Sequence, residues 1–137
     1  MKNLSIVLKA LIVKDKNILI IRRSLDEKIA PGVWELVGGR LKFDESLEEG
    51  LIREVKEEVS INCSILRLLY ATDHISRVMG KVVILVYLCT PLDKEVILSR
   101  EHMDYKWVKL EKFRELIFSQ IINDLDKYGI LDIEELK

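Results

Sequence analysis

Acidic residues at fixed spacing behind a glycine pair are the part of this chain best suited to chemistry. Gly39 is followed by Glu45, and later by a run of charged residues that opens with Arg53. This run contains three carboxylates within about one helical turn: Glu54, Glu57 and Glu58. Three negative charges this close repel one another unless a positive charge lies among them. A divalent cation is the simplest such charge, and a cation held by glutamates beside a glycine turn indicates phosphate chemistry.

The segment from Ser46 to Val59 is predicted to be the helix that carries these acids. Ser46 and Glu49 have the spacing of a capping box, in which each residue satisfies a backbone N–H of the other. Apolar residues recur every four positions: Leu47, Leu51, Val55 and Val59. On a helical projection the three carboxylates border this apolar stripe, so we expect them to be partly buried.

Partly buried carboxylates need compensating charge. Arg53 could supply one such charge by reaching Glu57, four residues on, or Glu45 across the helix entry. Oxygen ligands in an incomplete protein shell suit Mg²⁺, and the spacing is compatible with one ion or two. Gly50 lies on the same strip of the helix. It either leaves room for a ligand beside the acids or allows close packing against a strand.

Length and composition favour a self-sufficient globular fold. The chain has 137 residues, of which 49% are hydrophobic, and its formal net charge is −1. We therefore expect one domain over residues 1–137, with no nucleic-acid partner, since no basic run is present. The two cysteines, Cys63 and Cys89, lack metal-binding spacing and are predicted to be reduced core residues. No segment is long and apolar enough to span a membrane, so we expect a soluble, cytoplasmic protein.

Strands and helices are mixed along the chain. We predict a hairpin and a short strand near the N-terminus, then further strands and a long amphipathic helix after the acidic helix. The predicted strands are Leu4–Val13, Ile18–Ile21, Trp34–Val37, Cys63–Ala71, Lys81–Cys89 and Tyr105–Val108. The long helix is predicted over Leu110–Lys127, with a short turn or helix after it. This order predicts an α+β fold or an α/β/α sandwich.

The acidic segment resembles the signature of the Nudix hydrolase family, G-x5-E-x7-R-E-U-x-E-E-x-G-U, in which U is aliphatic. The matching residues are Gly39, Glu45, Arg53, Glu54, Val55, Glu57, Glu58 and Ile61. The approach from Pro31 to Gly39 is also similar to the family's usual lead-in. Two positions depart from the pattern, because Ser60 replaces the last glycine and Val37 replaces a common proline. Neither is a carboxylate, so we expect both to be compatible with activity.

The resemblance implies a single-domain α/β/α sandwich with a mixed sheet that binds Mg²⁺, or Mn²⁺ as a substitute. It assigns metal binding to the Gly38 carbonyl and to three carboxylates: Glu54, Glu57 and Glu58. It makes Arg53 and Glu45 the pair that orients those carboxylates, and places Gly38 and Gly39 beside the substrate. The reaction it implies is attack of a metal-activated water on one phosphorus of a diphosphate linkage.

Two residues outside the signature are further candidates by the same resemblance. Arg22 and Arg23 end the second strand and must face opposite sides of the sheet, so at most one points into the site. We favour Arg23 as a contact for substrate phosphates, against an ordinary surface cation. Glu101 is our candidate for an extra metal ligand or general base, with an ordinary loop acid as the alternative. His102 could instead hydrogen-bond within that loop.

Hydrolysis of a nucleoside triphosphate, modified or not, to the monophosphate and pyrophosphate is the leading functional hypothesis. An ADP-ribose or nucleotide-sugar pyrophosphatase is the alternative, although the proline typical of those groups is replaced here by Ser76. The tyrosine typical of diadenosine polyphosphate hydrolases is also missing, since positions 77–79 are Arg-Val-Met. A non-catalytic nucleotide sensor is less favoured, because the expected carboxylates are all present. The apolar strand edges permit a homodimer.

Overall fold

The computed structural model describes residues 3–93 and 95–137. The elements follow one another as a run of four strands, a helix, three strands and a helical C-terminus. They are β1 (Leu4–Lys14), β2 (Asn17–Arg23), β3 (Trp34–Glu35), β4 (Val37–Arg40), α1 (Leu47–Val59), β5 (Cys63–Ser76), β6 (Gly80–Pro91), β7 (His102–Val108), α2 (Leu110–Leu116), α3 (Ser119–Lys127) and two 3₁₀ helices (Ile130–Asp132 and Glu134–Leu136).

Strand β1 is the centre of a seven-stranded mixed sheet with the order β3-β2-β1-β6-β5. It runs parallel to β6 and antiparallel to β4, and its last two residues pair with the start of β2. Strand β7 pairs with β2. The mixed sheet predicted from the sequence is therefore confirmed.

Both faces of the sheet are covered, which gives the α/β/α sandwich. Alternate residues of β1 point to opposite faces. Leu8 and Ala10 pack with Leu51 and Val55 of α1 in one apolar cluster. Leu11 packs in a second cluster with residues of the C-terminal helices, including Phe113 and Leu125. Cys63 and Cys89 are reduced and buried, as predicted.

The predicted long helix over Leu110–Lys127 is wrong, because the chain divides it into α2 and α3. At the break, Ile117 and Phe118 have extended backbone angles, with ψ of 147° and 133°. Ile117 forms a parallel bridge with Trp34, and the Phe118 N–H donates to the Trp34 carbonyl at 3.1 Å. Pairing with β3 thus replaces the helical hydrogen bonds that the amphipathic pattern predicted.

Several strand boundaries also differ from the prediction. The segment Trp34–Val37 is not one strand, since β3 pairs with β2 whereas β4 pairs with β1. Strand β5 continues to Ser76 and β6 begins at Gly80, so this hairpin is longer than expected. Strand β7 begins at His102 and not at Tyr105, so it includes part of the region around Glu101 and His102 that we expected to be a loop.

Candidate active site

The start and end of α1 are fixed by local contacts. The Ser46 hydroxyl accepts from the Glu49 N–H at 3.1 Å, and the Glu49 carboxylate accepts from the Ser46 N–H at 2.9 Å. This is the predicted capping box. At the other end Ser60 adopts the left-handed conformation, with φ of 62° and ψ of 24°, which glycine would adopt without strain. The register of the acidic residues is therefore set from both ends of the helix.

The glycine pair of β4 brings its backbone against both β1 and α1. Gly38 has φ of +144°, and a Cβ there would lie 2.8 Å from the Lys9 Cα. At Gly39 a Cβ would lie 2.6 Å from the carboxyl carbon of Glu54. A side chain at either position would displace strand backbone or a carboxylate, so the site requires glycine at both.

Arg53 joins three carboxylates at the edge of the site. Its Nε and Nη2 atoms donate to the two oxygens of Glu45 at 2.9 and 2.6 Å. Its Nη1 atom donates to Glu54 at 2.9 Å and to Glu57 at 3.2 Å. The Arg53 contacts, together with a hydrogen bond from the Lys42 N–H at 2.7 Å, lower the pKa of Glu45 to about 2. The same carboxylate contacts raise the pKa of Arg53. Arg53 therefore contacts both of the partners predicted from the sequence, Glu45 and Glu57.

Glu58 has a different environment from the other two acids. It is 8% exposed, and its Oε1 atom accepts from the Gly38 N–H at 2.7 Å. Burial raises the pKa of Glu58 to about 7, although Lys9 and this hydrogen bond partly oppose the shift. The contacts of the Glu58 carboxylate do not fully replace its lost hydration, so binding of a cation nearby would stabilise the charged form.

The three carboxylates line one cavity of about 530 Å³, within the size range of small-molecule sites. We call it the carboxylate cavity. Its walls include most of the candidate site residues: Arg23, Gly38, Gly39, Glu54, Glu57, Glu58 and Glu101. The remaining two, Arg53 and Glu45, are not among the lining residues. Arg53 contacts the cavity acids Glu54 and Glu57, and Glu45 contacts Arg53. Arg22 instead donates to the Gly32 carbonyl at 2.9 Å, so Arg23 is the arginine that reaches this cavity.

The donors around the carboxylate cavity fit a hard divalent cation. Carboxylate and carbonyl oxygens are the ligands that Mg²⁺ and Mn²⁺ accept, and Gly39 gives the Glu54 carboxylate the space of a missing side chain. Within residues 3–93 and 95–137, no three acidic, histidine or cysteine side chains already converge on one point. The fit is therefore one of donor chemistry around a shared cavity, rather than of a preformed coordination sphere.

Gly50 packs closely instead of leaving room for a ligand. A Cβ at Gly50 would lie 2.8 Å from the Leu8 and Leu41 methyl groups and 2.9 Å from a Glu45 oxygen. Of the two interpretations of Gly50, the structure favours close packing of α1 against β1.

A second cavity of about 260 Å³ adjoins the first. We call it the apolar cavity, because most of its walls are aliphatic or aromatic. These walls are Ile29, Val33, Leu36, Tyr70, Ile84, Val86, Phe118 and Ile121, and His74, Gln120 and Asp124 add polar groups. The two cavities share Lys9, Arg23 and Ile29, which therefore form their junction.

Sequence reasoning missed the polar cluster at this junction. Glu35 accepts from Lys9 at 3.4 Å and from Arg23 at 3.3 Å, and its Oε2 atom lies 2.8 Å from His102 Nε2. Although burial raises the pKa of Glu35, Lys9, His102 and Arg23 together lower it to about 2. The His102 ring thus contacts β3, while its backbone N–H donates within its own loop to the Ser99 carbonyl at 3.3 Å. The available signal was Lys9 itself, a single charge in the apolar run of β1.

The sandwich, the glycine turn and the carboxylate-bearing helix define a Nudix-type pyrophosphohydrolase. The chain belongs to the family described as the NUDIX domain, whose model matches residues 5–125. In the structure no helix among residues 3–93 and 95–137 is long and apolar enough to cross a membrane.

Relatives in sequence and in structure agree with this membership. Over 106 residues the chain is 30% identical to the CTP pyrophosphohydrolase of Escherichia coli strain K12, covering 77% of this chain and 76% of that protein. It is 29% identical to the nucleoside triphosphatase NudI of Escherichia coli O139:H28, covering 74% and 79%. The crystal structure of a MutT protein from Methanosarcina mazei Go1 superposes with a TM-score of 0.84 at 30% identity, covering 97% and 98%.

Proposed function

We propose that this protein hydrolyses a nucleoside triphosphate to the monophosphate and pyrophosphate, using Mg²⁺ or Mn²⁺. The observation that carries the proposal is the grouping of Glu54, Glu57 and Glu58 around the same cavity as Arg23. Two of the sequence relatives are a CTP pyrophosphohydrolase and a nucleoside triphosphatase, which supports a triphosphate as the substrate class.

The adjoining cavities suit the two parts of such a substrate. The apolar cavity offers aromatic and aliphatic walls with a few polar groups, an environment that suits a base. The carboxylate cavity offers oxygen ligands for a cation and Arg23 for phosphate. A nucleotide that crosses the junction would therefore place its phosphate chain beside the acids.

Glu54, Glu57 and Glu58, together with the Gly38 carbonyl, would hold the cation. When bound, the ion would lower the pKa of a water molecule and neutralise charge on the phosphate oxygens. Arg53 orients Glu54 and Glu57 through its Nη1 atom and is itself anchored by Glu45. Glu101 lines the same cavity, where its carboxylate could accept a proton from the attacking water.

One assay series tests this function. The protein is incubated with Mg²⁺ and a panel of triphosphates, ADP-ribose and nucleotide sugars, while pyrophosphate, phosphate and monophosphates are measured. We expect pyrophosphate and a monophosphate in equal amounts from at least one triphosphate, and no turnover when EDTA replaces Mg²⁺.

Other outcomes identify the rival functions. Turnover of ADP-ribose or a nucleotide sugar, with triphosphates left intact, would replace the proposal by a pyrophosphatase for those compounds. A nucleotide that raises the melting temperature without being hydrolysed would indicate a binding module instead.

A further inference from the structure

Lys9 is a charged residue within an otherwise apolar part of β1. Its neighbours Leu8 and Ala10 are fully buried, whereas the Lys9 side chain is 18% exposed. The side chain lines both the carboxylate cavity and the apolar cavity. Burying most of a lysine costs hydration and rotamer entropy, so its charge at this junction needs an explanation.

The ammonium group is held at the junction by long contacts. Lys9 Nζ donates to the Leu36 carbonyl at 3.2 Å, to the Gly38 carbonyl at 3.3 Å and to Glu35 at 3.4 Å. Charge-assisted N–H···O bonds are usually about 2.7–2.9 Å. An anion entering the junction could therefore make a shorter contact with this ammonium group than its present partners do.

Glu35 fixes two cations on the same side of the junction. One of its oxygens accepts from Lys9, and the other accepts from Arg23 and contacts His102. Lys9 and Arg23 share this one carboxylate, and Arg23 also pairs with Glu27 at 3.5 Å. The carboxylate that contacts Lys9 therefore divides its charge between two cations. Glu58 lines the carboxylate cavity together with Lys9 and accepts from the Gly38 N–H at 2.7 Å, so the acids and the ammonium group face the same space.

We propose that Lys9 binds the phosphate group attached to the nucleoside, making the junction a site for a nucleoside 5′-phosphate. The proposal rests on the proposed function, because it takes the base to lie in the apolar cavity. Lys9 then selects ligands by the phosphate at the 5′ position, while the carboxylates act on the phosphates beyond it. If Lys9 only neutralised Glu35, replacing Lys9 would weaken the binding of nucleoside and monophosphate equally.

The test compares each nucleoside with its 5′-monophosphate in wild-type protein and in Lys9→Met. Cytidine and CMP are titrated calorimetrically, followed by the adenosine, guanosine and uridine pairs. Met keeps most of the apolar stem of lysine, and Glu35 keeps its contacts with Arg23 and His102, so we expect a folded variant. Should Lys9→Met fail to fold, Lys9→Gln serves the same comparison.

We expect wild-type protein to prefer at least one monophosphate over its nucleoside. In Lys9→Met the affinity for that monophosphate should fall about 10- to 100-fold, with the nucleoside affinity unchanged. In turnover this should appear mainly as a higher KM. Lys112→Met, on the exposed surface of α2, is the matched control and should behave as wild type.

Three results would overturn the inference. They are a monophosphate preference that survives Lys9→Met, an equal loss of nucleoside and monophosphate binding, and a wild-type protein that binds none of the four monophosphates. Failure of the proposed function would look different, because it would show as wild-type protein that hydrolyses no triphosphate.

Discussion

The carboxylate cavity takes most of its chemistry from one stretch of chain, Gly38 to Glu58, whereas the apolar cavity draws on residues from Lys9 to Asp124. In the first, Arg53, Glu45 and the glycine pair hold the acids by contacts within or next to that stretch. In the second, the walls come from β1, β2, the segment from Ile29 to Leu36, β5, β6 and α3 with the Phe118 before it. Under the proposed function, the residues for the reaction thus come from one local stretch of chain, whereas the space for the rest of the substrate depends on the whole fold.

If this contrast is right, a change among the acids should lower turnover of every substrate. We expect Glu57→Gln to reduce kcat about 100-fold or more, because it removes a proposed cation ligand. The Glu57 side chain is 56% exposed and supports little of the fold. The melting temperature should stay close to that of wild type. Steady-state kinetics and thermal unfolding check both parts.

Glu115→Gln is the matched control for Glu57→Gln, since Glu115 is an exposed acid paired with Lys112 on α2. A near-normal rate in Glu57→Gln would refute its assignment as a ligand.

Glu58, the buried acid, should lower the free energy of unfolding at high pH. The pKa of Glu58 rises from 4.5 to about 7 because of burial, so the folded state binds its proton more tightly than the unfolded state. The stability contributed by the protonated group is full below pH 4.5 and is lost as the pH rises through 7. In EDTA, Glu58→Gln should therefore be more stable than wild type at pH 8, by up to about 3 kcal/mol.

Denaturant unfolding at pH 4.5 and pH 8 measures this difference. The two proteins should be nearly equal at pH 4.5. A variant that is less stable than wild type at pH 8 would show that Glu58 is already compensated in the fold.

The arginine that joins the acids should matter for both stability and activity. Arg53→Met leaves Glu45 and Glu54 without their guanidinium partner, and we expect the melting temperature to fall by about 5 °C. Arg53→Lys should recover little of this loss in melting temperature, because an ammonium cannot reproduce the paired contacts with both Glu45 oxygens. Full rescue by lysine would indicate that only the charge is needed.

Changes in the apolar cavity should alter selectivity and spare the chemistry. Gln120 is exposed and lines this cavity, so Gln120→Ala should change the ranking of triphosphates by about 3- to 10-fold in kcat/KM. The pH and metal dependence should be unchanged. Ser119→Ala, at the neighbouring exposed position, is the control, and equal losses for all triphosphates would contradict the division of roles.

The same contrast explains what the sequence could and could not predict. The capping box, the position of α1 and both partners of Arg53 follow from short-range spacing, and the structure confirms them. The split between α2 and α3 does not follow from short-range spacing, because it depends on the bridge between Ile117 and Trp34, which lie far apart in the chain. An amphipathic pattern cannot reveal a strand that competes for the same backbone groups.

The junction of the cavities was missed for the same physical reason. Glu35 contacts Lys9, Arg23 and His102 because β2 pairs with β3 and β7, and because β1 lies beside β4. Lys9 and Arg23 stand out in the sequence, but nothing there links either of them to Glu35. Only the strand register reveals that one carboxylate faces two cations between two cavities.

Cation binding by the acids is the claim on which the rest depends, and titration calorimetry with Mn²⁺ tests it most directly. Wild-type protein should bind the ion saturably at pH 8 without nucleotide, and the double variant Glu57→Gln with Glu58→Gln should lose that binding while remaining folded. Absence of uptake by the wild type, or equal uptake by the double variant, would contradict the account.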